Sequence, residues 1–184
     1  ISTDYVFNGD LDVSKSYVET DEVGPVTVYG KTKLHGEEQV KSNTDKYYIF
    51  RTAWLYGDGN NFVRTMLKLG NEKDELSVVA DQHGSPTYAE DLANIIAEAI
   101  EKKIAYGLYH STNQGFTTWY DFTKKIFELA DIKCNVKPVT SEEFVRPAKR
   151  PKNSKLNKQK LLNQGVTVPT WEDGLKRYLE IELH

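Results

Sequence analysis

The stretch Val28-Tyr29-Gly30-Lys31-Thr32-Lys33 places a tyrosine and a lysine four residues apart in a segment with a helical pattern. Residues i and i+4 lie on one face of a helix, so Tyr29 and Lys33 can point into the same cleft. An ammonium group beside a phenol stabilises the phenolate and lowers its pKa from the ordinary value of about 10. The pair is therefore suited to proton transfer at a carbonyl or hydroxyl carbon.

The same spacing recurs at Tyr120 and Lys124, where the neighbouring apolar residues indicate an ordinary amphipathic helix. The first pair differs because residues 1–7 have the pattern of a buried strand that runs into a loop. Ligands bind beyond the carboxyl ends of strands in open α/β sheets. The hydroxyl of Thr3 lies near that end, so we predict that Thr3 contacts the same substrate oxygen as Tyr29.

Strand and helix patterns alternate after this stretch. Buried strands are predicted at residues 47–50, 76–80 and 107–110. Helices are predicted from Tyr29 to near Asn43, over 61–69 with an end at Gly70, over 89–103, over 119–130 with a cap at Thr117-Thr118, and over 171–183. His110, beside a strand, is expected to pack rather than react. The alternation predicts an α/β fold whose first part is the second half of a Rossmann-like doubly wound parallel sheet.

Composition narrows the class of protein. The chain has 184 residues, of which 39% are hydrophobic and 28% charged, as in soluble globular proteins. The net charge of −3 predicts no nucleic-acid partner, and no apolar run approaches the ~20 residues needed to cross a bilayer. One cysteine, Cys134, excludes an intrachain disulfide and fits a reducing compartment. We therefore expect a cytoplasmic protein that does not bind membranes.

A basic run without acidic residues extends over residues 144–171. It contains seven cationic residues, Arg146, Lys149, Arg150, Lys152, Lys155, Lys158 and Lys160. One interpretation is a solvated basic face. A nucleic-acid surface would need interleaved aromatic residues, which this run lacks. The third interpretation is a seat for a diphosphate, formed by the guanidinium of Arg150 with Asn153 and Ser154 as hydrogen-bonding partners.

Several short motifs together resemble one family. They are STDYVF at 2–7, YGKTKLHGE at 29–37, RTAWLYG at 51–57, GNNF at 59–62, DQHGSPT at 81–87, GLYH at 107–110 and RPKNSKLN at 150–157. With these motifs the sequence resembles the extended short-chain dehydrogenase/reductases, and within them the dTDP-4-dehydrorhamnose reductases. The resemblance spans nearly the whole chain, although it begins at an internal position of the sequences in this family rather than at their first residues.

The resemblance implies a reaction and its cofactor. It implies reduction of the 4-keto group of dTDP-4-dehydro-L-rhamnose by NADPH or NADH, which gives dTDP-L-rhamnose in nucleotide-sugar biosynthesis. Tyr29 would donate the proton, Lys33 would bias Tyr29 and hold the nicotinamide ribose, and Thr3 would orient the carbonyl. The catalytic residues would thus be Thr3, Tyr29 and Lys33, and the cofactor-binding residues Tyr29 and Lys33.

The resemblance also implies substrate contacts and a division of the chain. The expected substrate-binding residues are Asp4, Trp54, Asn61, Arg150 and Asn153. Residues 1–57 would form the C-terminal half of the dinucleotide-binding domain. Residues 58–184 would form mainly a small α/β substrate-binding part, with some segments that return to the Rossmann core. A homodimer and a divalent metal are compatible with the resemblance, although no metal ligand is predicted.

Two alternatives to this function remain open. One is another nucleotide-sugar reductase or epimerase, since the same triad serves several keto sugars. The other is a non-catalytic, reductase-like regulatory subunit. No Gly-x-Gly-x-x-Gly occurs in the sequence, and residues 57–62 come nearest but have Phe62 at the third glycine position. We therefore expect a carboxyl-terminal portion of a larger reductase that is inactive by itself.

Overall fold

A computed structural model describes residues 1–143 and 150–183. In chain order its elements are β1 (Ser2–Thr3), α1 (Val28–Asn43), β2 (Tyr48–Thr52), β3 (Leu55–Tyr56), α2 (Phe62–Glu72), β4 (Glu75–Val79), β5 (His83–Gly84), β6 (Thr87–Tyr88), α3 (Ala89–Glu101), β7 (Gly107–His110), β8 (Thr117–Thr118), α4 (Trp119–Leu129), β9 (Asn135–Val139), α5 (Gln159–Leu162) and α6 (Trp171–Glu182). Strand and helix alternate as the sequence predicts, and the fold is α/β.

A three-stranded parallel sheet lies beside the Tyr29 helix, in the order β1-β2-β7. Ser2 pairs with Arg51 and Thr3 with Thr52, while β2 pairs with β7 along its length. The central strand β2 is almost entirely buried because both faces are covered. Residues 107–110 therefore join the sheet of the first part of the chain. The predicted division at residue 57 stays a prediction.

The sequence pattern predicts an opening strand over residues 1–7, but the observed strand is shorter. It covers only Ser2–Thr3, and a 3₁₀ turn follows at Asp4–Val6. The Thr3 hydroxyl accepts a hydrogen bond from the Tyr5 amide at 3.3 Å, which caps this turn. A side chain that caps a turn competes with the strand conformation, and an alternating apolar pattern does not reveal that competition.

Elements that follow residue 61 pack around an apolar core. The core unites α2, β4, α4 and α6 through Val63, Phe122, Ile126 and Leu175, which are all nearly or fully buried. α2 does not end at Gly70 but continues to Glu72. A side chain at Gly70 would overlap the ring of Phe127, so this glycine is a contact point between helices rather than a terminator.

Two helix boundaries follow the sequence closely. α1 ends at Asn43 as predicted. α4 begins directly after Thr118, whose hydroxyl accepts a hydrogen bond from the Asp121 amide at 3.0 Å. No helix within residues 1–143 or 150–183 is both long and apolar enough to span a membrane.

Candidate active site

The first turn of α1 is pressed against the chain that leaves β1. Thr27 caps the helix by accepting a hydrogen bond from the Gly30 amide at 3.0 Å. Gly30 is buried, and a Cβ at this position would overlap the carbonyl oxygen of Tyr5. The close approach requires glycine because the neighbouring atom belongs to the backbone. It brings Tyr29 next to the end of β1.

Tyr29 and Lys33 both lie beside β1, as the helical spacing predicts. The Tyr29 side chain is 54% exposed, and its ring meets the ring of Tyr5 edge-on with 5.7 Å between centroids. The Lys33 ammonium donates a hydrogen bond to the carbonyl oxygen of Ile1 at 2.6 Å. A phenol with this exposure can reach a ligand, and a lysine beside it supplies positive charge.

Thr3 and Asp4 form a buried polar pair behind the Tyr5 ring. Thr3 donates a hydrogen bond to the Asp4 carboxylate at 2.9 Å, and both residues are 5% exposed. Burial raises the pKa of Asp4 to about 6, while hydrogen bonds from Ser154 and Thr3 act in the opposite direction. The structure thus places Asp4 behind Thr3, with little surface for the direct substrate contact that the sequence predicts.

A cleft of about 360 Å³ opens next to this pair, a size within the range of small-molecule sites. Aromatic and polar side chains share its wall, namely Tyr5, Trp54, Phe62, Gln82, Trp119, Arg150, Pro151 and Ser154. Tyr29 itself does not line the cleft, but its ring contacts the lining residue Tyr5.

Trp54 is fixed in this cleft by its neighbours. Its indole stacks on Trp119 with 3.6 Å between centroids and 10° between planes. A Cβ at Gly84 would overlap the indole, so the ring also lies against the β5 backbone. The backbone of Trp54 has a φ of +49°, an uncommon conformation for a residue with a side chain. Trp54 therefore lines the cleft and packs against its neighbours at the same time.

Asn61 and Asn153, two predicted substrate contacts, use their side chains inside the protein. Asn61 caps α2 by accepting from the Arg64 amide and donates to Gly57 and Tyr178. The Asn153 amide group donates to the carbonyl oxygens of residues 11, 12 and 15, at 3.0–3.2 Å. Neither residue is among the side chains that line the cleft with Trp54 and Arg150.

The basic run contains both exposed and buried lysines, since Lys160 is exposed and Lys155 is buried. Arg150 is exposed and lines the cleft. Lys155, by contrast, donates to the carbonyl oxygen of Val13, and the Lys160 ammonium donates to that of Leu108 at 2.8 Å. The run is therefore not a continuous solvated face. Arg146 and Lys149 lie outside the described residues.

Lys158 is the most deeply placed cation of this run. It is 6% exposed, and its ammonium lies 4.1 Å from the centroid of the Phe116 ring and 3.3 Å from the Ser85 hydroxyl. Burial lowers the pKa of Lys158 to about 7 because the charged form is poorly solvated there. Its ammonium is thus held inside the protein rather than offered to an anionic ligand.

His110 packs, as expected. It is fully buried, its Nδ1 lies 3.2 Å from the carbonyl oxygen of Tyr17, and burial followed by the nearby Arg51 charge lowers its pKa to about 3. In the part of the chain that the structure describes, no three His, Cys, Asp or Glu side chains come close enough together to hold a metal ion.

Sequence reasoning missed five residues of the cleft wall: Tyr5, Phe62, Gln82, Trp119 and Pro151. Tyr5 directly follows Thr3 and Asp4, so its position after a strand end was a usable signal. Trp119 has the spacing of an inward residue on an amphipathic helix, and that pattern cannot separate a core position from a cleft wall. Gln82 and Pro151 reach the site only through folding of distant loops.

The parallel sheet, with a Tyr-x-x-x-Lys helix packed at the end of its first strand, defines a Rossmann-like α/β protein. The comparison with known families agrees with this class. The model for the RmlD substrate binding domain matches residues 1–183. The chain belongs to that family.

Named relatives share the sequence over nearly the whole chain. The dTDP-4-dehydrorhamnose reductase of Escherichia coli K12 is 45% identical in an alignment that covers 97% of this chain and 63% of the relative. The spore coat polysaccharide biosynthesis protein SpsK of Bacillus subtilis is 43% identical, over 98% of this chain and 62% of the relative. The chain thus spans less than two thirds of the length of these relatives.

Solved structures show the same fold. A dTDP-4-dehydrorhamnose reductase from Clostridium acetobutylicum has a TM-score of 0.95 and 49% identity, covering 100% of this chain and 65% of that chain. The Bacillus anthracis enzyme of that name, in complex with NADP, has a TM-score of 0.91 and 47% identity, covering 98% of this chain and 64% of that chain. The predicted family and fold are confirmed.

Proposed function

We propose that this chain carries the proton donor and the substrate cleft of an NADPH- or NADH-dependent reductase. The substrate is dTDP-4-dehydro-L-rhamnose and the product dTDP-L-rhamnose. The observation that carries the proposal is the position of Tyr5, which lines the cleft and packs edge-on against Tyr29. A ligand in the cleft therefore lies next to an exposed phenol. The names of the relatives supply the substrate.

Each residue of the triad has a role that follows from its surroundings. Tyr29 is exposed and donates the proton to the developing alkoxide at C4. Lys33 lies one turn further along α1, where its ammonium donates to the carbonyl oxygen of Ile1 and brings a positive charge to this side of the helix. Thr3 lies at the carboxyl end of β1, with its hydroxyl already bonded to Asp4. Thr3 orients the carbonyl when its single hydroxyl proton turns from Asp4 to the carbonyl oxygen.

The residues present fit the nicotinamide end of the cofactor. Tyr29 and Lys33 stand together at the open edge beside β1, where the hydroxyls of a ribose find both a phenol and an ammonium. The cofactor supplies a hydride to C4 of the sugar when bound. Pyrophosphate binding in this fold uses a glycine-rich turn after a strand, and residues 1–184 contain no such motif. NADP in the Bacillus anthracis structure supports the same cofactor.

The cleft supplies the contacts for the rest of the substrate. Arg150 brings a guanidinium, whose planar fork matches phosphate oxygens, to the cleft wall. Trp54 and Trp119 form a rigid aromatic surface on the same wall, suited to a sugar or base. A homodimer, which is compatible with the resemblance, and a cytoplasmic location, which is expected from the composition and the single cysteine, stay part of the proposal.

Nucleotide selectivity tests the proposal. A catalytically active protein that contains residues 1–184 is expected to oxidise NADPH with dTDP-4-dehydro-L-rhamnose and to yield dTDP-L-rhamnose. The same keto sugar linked to UDP is expected to react more slowly. Equal turnover of both would favour a different nucleotide-sugar reductase or epimerase. Substrate binding without any turnover would favour the regulatory-subunit alternative.

A further inference from the structure

One carboxylate of α1 is buried between the helix and the sheet. Glu37 is 3% exposed and accepts two hydrogen bonds from Arg51, at 2.8 Å from Nε and 2.6 Å from Nη2. It also accepts a hydrogen bond from the Ser2 hydroxyl at 2.5 Å. Burial opposes the charge, but the bonds from Arg51 and Ser2 outweigh it and lower the pKa of Glu37. The carboxylate is therefore charged and joins α1, β1 and β2.

The register of the sheet brings the two donors to the same carboxylate. Ser2 on β1 and Arg51 on β2 are direct neighbours across the parallel pair. The next pair along, Thr3 with Thr52, begins the candidate site. A shift of Glu37 relative to Ser2 would therefore be felt one residue away, at Thr3.

Glu37 continues the series of Tyr29 and Lys33 along α1. The three residues are spaced by four positions, so they follow one another on the same side of the helix. Lys33 donates to the carbonyl of Ile1, and Ser2 donates to Glu37. Two successive residues at the start of β1 are thus bonded to side chains one helical turn apart, which fixes both the distance and the register between helix and strand.

Apolar packing of this helix against the core is limited to Leu34, which is half-buried against a cluster that contains Val6, Phe7 and Leu156. Gly30 and Glu37 are the buried residues of α1, which the structure describes from end to end. Val28 is 79% exposed and Val40 is 40% exposed. An amphipathic helix is ordinarily held by a buried apolar stripe. Here a single leucine stands in place of the stripe, and a close backbone contact at Gly30 and the polar bonds of Lys33 and Glu37 add to it.

We propose that Glu37 is a positioning residue for the reduction, because its bonds to Ser2 and Arg51 set the place of Tyr29 and Lys33 relative to Thr3. The inference rests on the proposed function of those three residues. Glu37 does not touch the substrate, and it acts through the helix that it anchors. A misplacement of a catalytic group by about 1 Å can cost about a hundredfold in rate.

Ser2→Ala is the variant that tests the proposal. It removes one bond to Glu37 and leaves the buried ion pair with Arg51 intact, so the protein is expected to fold. In a catalytically active protein that contains these residues, kcat should fall roughly tenfold while KM for the keto sugar and for NADPH changes less than about twofold. The matched control is Glu38→Gln, since Glu38 is exposed and adjacent to Glu37. It should leave both constants unchanged.

Hydrogen exchange provides a readout that does not depend on activity. In Ser2→Ala the amides of Gly30 and Tyr5 should exchange faster than in the wild type, and in Glu38→Gln they should not. A lower melting temperature with unchanged kcat and unchanged exchange at these amides would overturn the proposal, because Glu37 would then only stabilise the fold. A wild type without reductase activity would refute the proposed function, and the exchange rates would still decide whether Glu37 anchors α1.

Discussion

At the scale of single residues, Asp4 is a carboxyl group whose ionisation the fold opposes. Burial raises its pKa from 3.8 to about 6. The folded state therefore binds this proton more tightly than the unfolded state does. As the pH rises from about 4 to about 6, the free energy of unfolding decreases, because the stabilisation by the tightly bound proton of Asp4 is lost. Above pH 6 this decrease is complete. Two pKa units correspond to about 3 kcal/mol.

We expect Asp4→Asn to reveal this cost. The amide oxygen still accepts the Thr3 hydrogen bond, and no charge has to be buried. The free energy of unfolding of the variant, relative to the wild type, should increase by about 2–3 kcal/mol between pH 4 and pH 6.5. Urea unfolding of both proteins at several pH values measures the difference. A difference that stays constant over this range would show that Asp4 is ionised in the folded protein as readily as in water.

Arg150 is the residue of the basic run that tests whether the run binds a diphosphate. Arg150→Ala should weaken binding of the dTDP-sugar by about 1.5–3 kcal/mol, the range for a charge-assisted hydrogen bond. Isothermal titration measures the change. Lys158 belongs to the same basic run, but it is buried beneath Phe116. Lys158→Ala would therefore not be a control that removes only a surface charge. Lys152 is exposed and lies two residues away.

Lys152→Ala should accordingly leave the affinity nearly unchanged. Equal and small effects of both substitutions would contradict a role of Arg150 in binding the diphosphate. Equal and large effects would instead indicate a diffuse attraction by the whole basic run, which salt would screen.

Single residues also show where sequence reasoning ends. The sequence identified Tyr29 and Lys33 because their spacing has a geometric meaning on a helix. It could not separate the possible roles of Asn61 and Asn153, since an asparagine offers the same amide to a ligand, a helix cap or a loop carbonyl. The sequence does not show that Lys158 is buried, because its contact with Phe116 spans 42 positions of the chain.

At the scale of elements, two glycines of α1 allow a matched comparison. A Cβ at Gly36 meets no atom within 4 Å, so Gly36→Ala should stabilise the helix by about 0.5–1 kcal/mol. A Cβ at Gly30 overlaps the Tyr5 carbonyl, so Gly30→Ala has to move the helix start away from β1. We expect a loss of about 1–3 kcal/mol in the free energy of unfolding.

The same two variants separate an effect on stability from an effect on the position of Tyr29. Gly30→Ala should lower kcat because it displaces Tyr29, whereas Gly36→Ala should leave kcat unchanged. Urea unfolding and steady-state kinetics on both variants measure the two effects. Wild-type kcat in Gly30→Ala would mean that the site tolerates movement of the helix start.

Elements with strong local signals could be predicted from the sequence. α4 has an apolar stripe and a threonine cap, and both lie where the sequence indicates them. β1 is shorter than predicted because the Thr3 hydroxyl accepts a hydrogen bond from the Tyr5 amide and caps the turn that follows. α2 was predicted too short because Gly70 serves a contact with Phe127, which sequence spacing alone does not show.

At the scale of the whole molecule, the chain combines the exposed phenol of Tyr29 with an aromatic cleft. The two come together because the 3₁₀ turn after β1 presents Tyr5 to both. The chain spans 63% of its relative from Escherichia coli K12, and residues 1–184 contain no glycine-rich dinucleotide turn. The expectation that these residues are inactive by themselves stays a prediction.

The central claim is that Tyr29 donates the proton, and the most direct test is the turnover of Tyr29→Phe. The measurement requires a catalytically active protein that contains these residues, with dTDP-4-dehydro-L-rhamnose and NADPH as substrates. The substitution keeps the ring against Tyr5 and removes only the hydroxyl. We predict that kcat falls roughly a hundredfold or more with little change in KM, and that Tyr120→Phe, with the same spacing to a lysine, stays at the wild-type rate. Near-wild-type turnover of Tyr29→Phe, together with a loss in Tyr120→Phe, would contradict the claim.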